Sequence, residues 1–146
     1  MYDDSYILIK MHRINARIDR ATARIAAVHG LTLSQFGVLE ALYHSGDMTV
    51  GEVRDHILSS DGTIPVVVRN LEKRGLVSRR EDERDHRRHI LSLTEEGRKL
   101  IATVYPENER MIEQQMSVWT SEEKRRLSAL LRKFGTREDA AGDPEA

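Results

Sequence analysis

The chain has no cysteine, three prolines, nine glycines and only 5% aromatic residues. Without cysteine there is no disulfide, no thiolate nucleophile, no thiolate metal site and no thiol redox switch. No window approaches the roughly 18 uncharged apolar residues that a spanning helix needs, so no membrane partner is expected. The opening residues Met1-Tyr2-Asp3-Asp4-Ser5 lack the basic start, apolar run and small-residue cleavage site of a secretory signal, and the expected location is cytoplasmic. Also missing are a glycine-rich phosphate loop, a nucleophile elbow and a spaced carboxylate pair on an enclosing scaffold. Asp82, Glu83 and Asp85 fall in a charged run read as an exposed loop, a poor place for tuned acids. No enzymatic activity and no cofactor are therefore expected.

What is present is a chain of 146 residues, 39% hydrophobic and 32% charged, enough for one domain with an arm for self-association. The net charge of −1 predicts no partner by itself. Its distribution says more. Arg69 to Arg88 holds eight basic and five acidic residues, a local +3, and Thr136 to Ala146 holds one arginine against four acids, a local −3. A near-neutral total thus hides a basic face and an acidic tail.

Apolar spacing predicts helices through most of the chain. Ile7, Met11, Ile14, Ile18, Ala21, Ile25 and Val28 form one stripe over about Asp4 to His29, with Gly30 as the stop. Thr32-Leu33-Ser34-Gln35 reads as a capping box opening a short helix that ends near Ser45-Gly46-Asp47. Thr49-Val50-Gly51-Glu52 reads as a second box, with Val53, Ile57 and Leu58 inward. After a turn at Ser59-Ser60-Asp61-Gly62, a helix carrying Ile64, Val67, Val68 and Leu71 closes at Lys73-Arg74-Gly75. Pro65 fits only a first turn, so this helix should start no earlier than Asp61 or Gly62. Residues 76–80 and 89–93 read as two strands around the charged run. Thr94-Glu95-Glu96 caps a helix that Pro106 should kink or break. Thr120-Ser121-Glu122-Glu123 starts a last helix with Leu127, Leu130, Leu131 and Phe134, which Gly135 should end.

The expected fold is mainly α with a small β-hairpin wing: a winged helix-turn-helix domain (31–95) between an N-terminal dimerisation helix (1–30) and C-terminal dimerisation helices (96–135). A disordered acidic tail (136–146) follows. In this plan the second helix of the pair can enter a major groove while the hairpin reaches the backbone or minor groove.

Four stretches resemble the MarR family of bacterial transcription regulators. Leu31-Thr32-Leu33-Ser34-Gln35-Phe36-Gly37-Val38-Leu39 is similar to that family's second helix. Asn70-Leu71-Glu72-Lys73-Arg74-Gly75-Leu76-Val77 resembles the end of its recognition helix. Asp82-Glu83-Arg84-Asp85-His86-Arg87, then Leu91-Ser92-Leu93-Thr94-Glu95-Glu96-Gly97, resembles its wing and the helix after it. The resemblance implies a homodimeric repressor on a palindromic double-stranded operator, released by a small phenolic or anionic effector. The segments around Gln35 to His44 and Val67 to Glu72 resemble the quinone- and hydroquinone-responsive branch.

By the same resemblance Arg87 enters the minor groove and Asp85 orients its guanidinium. Gly62, Thr63 and Val66 stand at base-facing positions, and Ser59 and Ser60 lie near the backbone. Val66 stands where an arginine is frequent and Arg69 where an acid is frequent. Val66 has two readings: packing against a thymine methyl, or plain core. Arg69 adds a donor one turn further on, and Arg79, Arg80, Arg84 and Arg88 are expected to contact phosphates. Met11, His12 and Phe36 are the candidate effector contacts, beside a plainer reading as packing residues and an ordinary histidine. Six histidines invite a metal-sensing repressor of the same fold, through His12 with Asp19 or His86 with His89. No helical His-x-x-x-His pair exists, and four arginines beside His86 and His89 repel a dication, so no metal site is expected. The remaining alternative is a winged-helix protein-interaction module whose basic wing docks an acidic partner.

Overall fold

The computed structural model describes residues 3–57 and 64–139, the last four by backbone alone. Helix α1 (Asp4–Val28) leads into α2 (Leu33–Ser45), strand β1 (Met48–Thr49), α3 (Val50–His56) and α4 (Ile64–Lys73). Strands β2 (Val77–Glu81) and β3 (His89–Leu93) form the hairpin, and α5 (Glu95–Met116) and α6 (Ser121–Asp139) complete the chain. This is the winged helix-turn-helix arrangement with flanking helices that the sequence predicts.

The caps explain several boundaries. Asp3 accepts the Tyr6 amide at 2.8 Å to start α1. Thr32 and Gln35 close a full capping box on α2, each side chain taking the other's amide at 3.1 and 3.0 Å. The expected second box is half made: Thr49 accepts the Glu52 amide, and the side chain of Glu52 turns to Arg88 instead. Pro65 sits in the first turn of α4 as described, where its missing amide is harmless.

Helix α2 is the hub. Phe36, Val38, Leu39 and Leu42 are all buried, and the helix touches α1, α3, α4 and β3. Ile64, Val68 and Leu71 of α4, Val53 of α3, Leu91 of β3, and Ile101 and Val104 of α5 close the same core. Where α1 meets α5, Thr22 donates to Asn108 Oδ1 at 2.8 Å, a satisfied polar bond in a buried place.

The sheet is antiparallel in the order β1-β3-β2, with Met48 opposite Leu91 and Val77 opposite Leu93. Strand β1 escapes the sequence reading because two residues are too short to show alternation. Two further expectations are corrected. Pro106 does not break α5, which runs unbroken through it. Pro106 and Ala102, whose carbonyl loses its helical partner, both lie on exposed positions, so that oxygen need not be satisfied inside the protein. Helix α6 continues past Gly135 to Asp139, since one glycine weakens a helix without ending it. Residues 140–146 lie outside the described residues.

The chain divides into two compact units, residues 1–111 and 112–146. In the second, Thr120 caps α6 through the Glu123 amide, and Leu130, Leu131 and Phe134 of α6 are exposed. In the first, Tyr6, Ile7, Leu8, Ile9, Met11 and Ile14 of α1 are exposed. Among the described residues no single helix is long and apolar enough to cross a membrane.

On the α2–α5 face, Glu40 is half-buried, and burial holds its carboxyl above the usual range; nearby Glu109 adds to this and His44 partly offsets it. Between its ordinary and raised pKa the folded chain therefore holds more protons than the unfolded one, and stability falls as pH rises through that window. Glu40→Gln should raise the urea midpoint near neutral pH, and the gain should vanish below the ordinary value of 4.5. A gain that persists in acid would contradict this.

The tightest joint is at Gly97. A Cβ there would overlap the Leu76 carbonyl oxygen and lie 2.9 Å from its carbon. Gly97→Ala should destabilise the fold by about 2–3 kcal/mol in urea titrations at fixed protein concentration.

Candidate nucleic-acid interface

Strand alternation and one turn build the site. Gly75 adopts φ of 71°, a left-handed value that glycine takes without strain, and reverses the chain from α4 into β2. Along β2 successive side chains go to opposite faces. Arg79 therefore lies on the side of buried Val77, against α4, and Arg80 on the other.

On α4, Val66 is 46% exposed between fully buried Ile64 and Val68. That excludes the core reading and leaves Val66 on the outer face. Arg69 lies one turn on and is exposed, with no hydrogen bond or ion pair among the described residues. Ser59, Ser60, Gly62 and Thr63, together with Leu58, lie outside the described residues.

The wing tip is ordered by its own backbone and side chains. The Asp82 amide donates to the Arg88 carbonyl and the Arg88 amide to the Asp85 carbonyl, both at 2.9 Å. Asp82 accepts the Arg84 amide at 3.0 Å, and the Arg84 side chain is exposed. One oxygen of Asp85 accepts both the amide and Nε of Arg87, at 3.1 and 3.2 Å. These bonds hold the Asp85 carboxyl below the usual carboxylate range, the side-chain bond first and the backbone bond second. The Arg87 side chain is nonetheless 91% exposed. It is aimed without being buried.

Three other arginines of the hairpin are engaged within the chain. Arg79 donates through Nε and Nη2 to one oxygen of Glu72, at 3.1 and 2.9 Å. Arg80 donates to Asp47 at 3.0 Å and to the Ser92 hydroxyl at 2.9 Å. Arg88 lies 3.7 Å from Glu52. The hairpin is thus tied to α4, to the α2–β1 turn and to α3. Sequence reading missed Glu72, Asp47 and Glu52 in this role, because each faces its arginine only after the chain has folded. It also missed Arg74, which donates to the Gly30 carbonyl at 2.8 Å and fastens the end of α4 to the α1–α2 corner.

The three candidate effector contacts do not share one environment in a single chain. Phe36 is core at 2% exposure, whereas Met11 and His12 are exposed on α1. Aromatic groups gather instead where α2 faces α5: the Tyr105 ring lies 4.5 Å from His44 and 6.0 Å from Tyr43.

Known proteins share this arrangement. Residues 29–88 match the MarR family model. The Bacillus subtilis HTH-type transcriptional regulator MhqR is 35% identical over 107 residues, covering 73% of this chain and 74% of MhqR. The chain belongs to the MarR family. Among solved structures, Bordetella bronchiseptica BpsR, described in connection with regulation of its DNA binding by 6-hydroxynicotinic acid, superposes with a TM-score of 0.77 at 25% identity. The match covers 88% of this chain and 98% of BpsR. A cysteine variant of MarR from E. coli, complexed with operator DNA, also gives a TM-score of 0.77, at 20% identity over 92% of this chain and 97% of that one. This MarR-family protein is accordingly a DNA-binding transcription regulator and not an enzyme.

If Asp85 aims Arg87, then Asp85→Asn should weaken duplex binding about threefold in fluorescence anisotropy, although it removes a negative charge. Tighter binding would show that Asp85 acts only as a repelling charge.

Proposed function

We propose that this MarR-family chain is a homodimeric repressor of a palindromic operator. Helix α4 enters the major groove, Arg87 enters the minor groove, and a small phenolic or anionic effector releases the DNA. The exposed, aimed guanidinium of Arg87 carries the reading. A planar cation suits a narrow, negative groove, and a neighbouring carboxylate restricts its rotamers. Val66 and Arg69, exposed on α4, would face the bases, and Ser59, Ser60, Gly62 and Thr63 would complete that surface. Arg84 would add a phosphate contact.

The dimer is supported by the exposed large apolar residues of α1 and α6, which a two-fold partner would cover. The first unit would carry the DNA-reading elements and the second would add to the dimer. The effector class is supported by BpsR, whose DNA binding is linked to a small hydroxylated aromatic acid. A ligand of this kind acts only if it prefers one arrangement of the two DNA-reading lobes. Met11 and His12 of α1 are the contacts such a ligand would meet at a dimer interface, and Phe36 would serve as core packing.

Arg87→Ala should weaken binding across sequences, leave the dimer intact by sedimentation, and reduce the log K against log salt slope by about 0.9 per arginine lost. Unchanged affinity at physiological salt would overturn the wing assignment. Removing residues 1–20 should leave monomeric or aggregated protein; a well-behaved truncated dimer would overturn the assembly. Hydroquinone, salicylate and 6-hydroxynicotinic acid, added to the operator complex, test the effector class.

A further inference from the structure

Of the arginines in the basic stretch, Arg79 is held in a way that a phosphate contact would not need. Two of its nitrogens donate to the same oxygen of Glu72, and both side chains are only 30% exposed. Arg80, Arg88 and Arg87 are 57%, 55% and 91% exposed. Glu72 itself is out of place by helix electrostatics. It lies in the last turn of α4, where the helix dipole disfavours an acid and where a base such as Lys73 is the expected residue type. Near a duplex it would also repel phosphates. Both penalties are offset by the guanidinium that the Gly75 reversal and the β2 alternation bring against it.

We infer that Glu72 and Arg79 form a strut that sets the angle between the recognition helix and the wing, so that both grooves are engaged in one register. Arg79 is then a positioning residue and releases no counterion from DNA. The placement supports this. Glu72 is on the element proposed to read the major groove, and Arg79 is on the strand that carries the wing toward the minor groove. The pair spans only seven residues, across the one reversal on which that angle depends. Arg80 with Asp47 and Arg88 with Glu52 hold the hairpin to other elements, so neither pair bears on this angle directly. A single-oxygen, two-nitrogen contact between partly screened groups is worth more than an exposed pair, and its geometry restricts rotation of both side chains. The inference rests on the proposed engagement of α4 and the wing with one duplex.

The test uses the full chain and two duplexes: one selected by the unaltered protein from a randomised library, and a non-selected duplex of equal length. The double variant Glu72→Gln with Arg79→Gln leaves the net charge unchanged. It should lower the preference for the selected duplex about fivefold, with little change in the salt slope. A slope lower by about 0.9 per protomer with the preference intact would make Arg79 a phosphate contact and overturn the strut. The exchanged pair, Glu72→Arg with Arg79→Glu, should restore most of the preference; failure to do so would also overturn it. If the double variant misfolds by circular dichroism, the exchanged pair decides alone. An unaltered protein that binds neither duplex would instead sink the DNA-binding reading on which the strut depends.

Discussion

A helix can lie directly against a backbone carbonyl only where it carries no side chain, and Gly97 is that place in this protein. There the first turn of α5 meets Leu76, the residue between the Gly75 reversal and β2. Thr94 makes the joint from three directions. Its hydroxyl donates to the Gly75 carbonyl at 2.6 Å and accepts the Gly97 amide at 3.0 Å, and its own amide donates to the Leu76 carbonyl at 3.1 Å. The end of α4, the start of β2, the end of β3 and the start of α5 are therefore fixed by one corner. Everything that reads DNA in the proposed mode hangs from it: β2 leaves the corner in a set phase, which sends Arg79 to α4 and Arg80 away from it.

The second constraint is electrostatic. A protein with 23 basic and 24 acidic residues gains no affinity for DNA from its total charge. Its electrostatic affinity can come only from where cations are left unmatched. Around the hairpin, Glu72, Asp47 and Glu52 each pair with an arginine, so those charges stabilise the lobe. Arg87 differs in kind, since Asp85 holds it at Nε while the side chain stays in solvent. The same residue pair, Arg with an acid, thus produces an internal tie at 30% exposure and an outward finger at 91%. Exposure decides which.

Helix positions were legible in the sequence because periodicity and caps are local. The Thr32–Gln35 box, the Gly75 stop and the wing strands all stand where spacing and turn chemistry put them. Strand β1 was not legible, because its pairing with β3 depends on residues some forty positions away. Pro106 does not break its helix and Gly135 does not end one for a related reason: both weaken a helix locally, and the surrounding helix outweighs one such residue. In the site, the outward Arg87 followed from family resemblance, whereas Val66 kept two readings until its exposure decided between them. The engagement of Arg79 and Arg80 was not legible, since a run of adjacent arginines reads as one basic patch until strand alternation separates them. Phe36, too, stands as an effector contact by resemblance beside its plainer reading as core, and its burial in a single chain is a tertiary fact.

These ties bear on how an effector could act. With α4, β2, β3 and the first turn of α5 joined at one corner, and the hairpin held to α3 and to the α2–β1 turn, the DNA-reading lobe has few ways to change its internal angles. Bending the wing away from α4 would break the Glu72–Arg79 contact and expose two charged groups that are now mutually screened. Changing the spacing of the two lobes of the proposed dimer would break none of these bonds. A ligand shifts an equilibrium only by its difference in affinity for the two states. For the proposed dimer, the states most easily reached would therefore be those that move whole lobes, and an effector of the proposed class would act away from the wing.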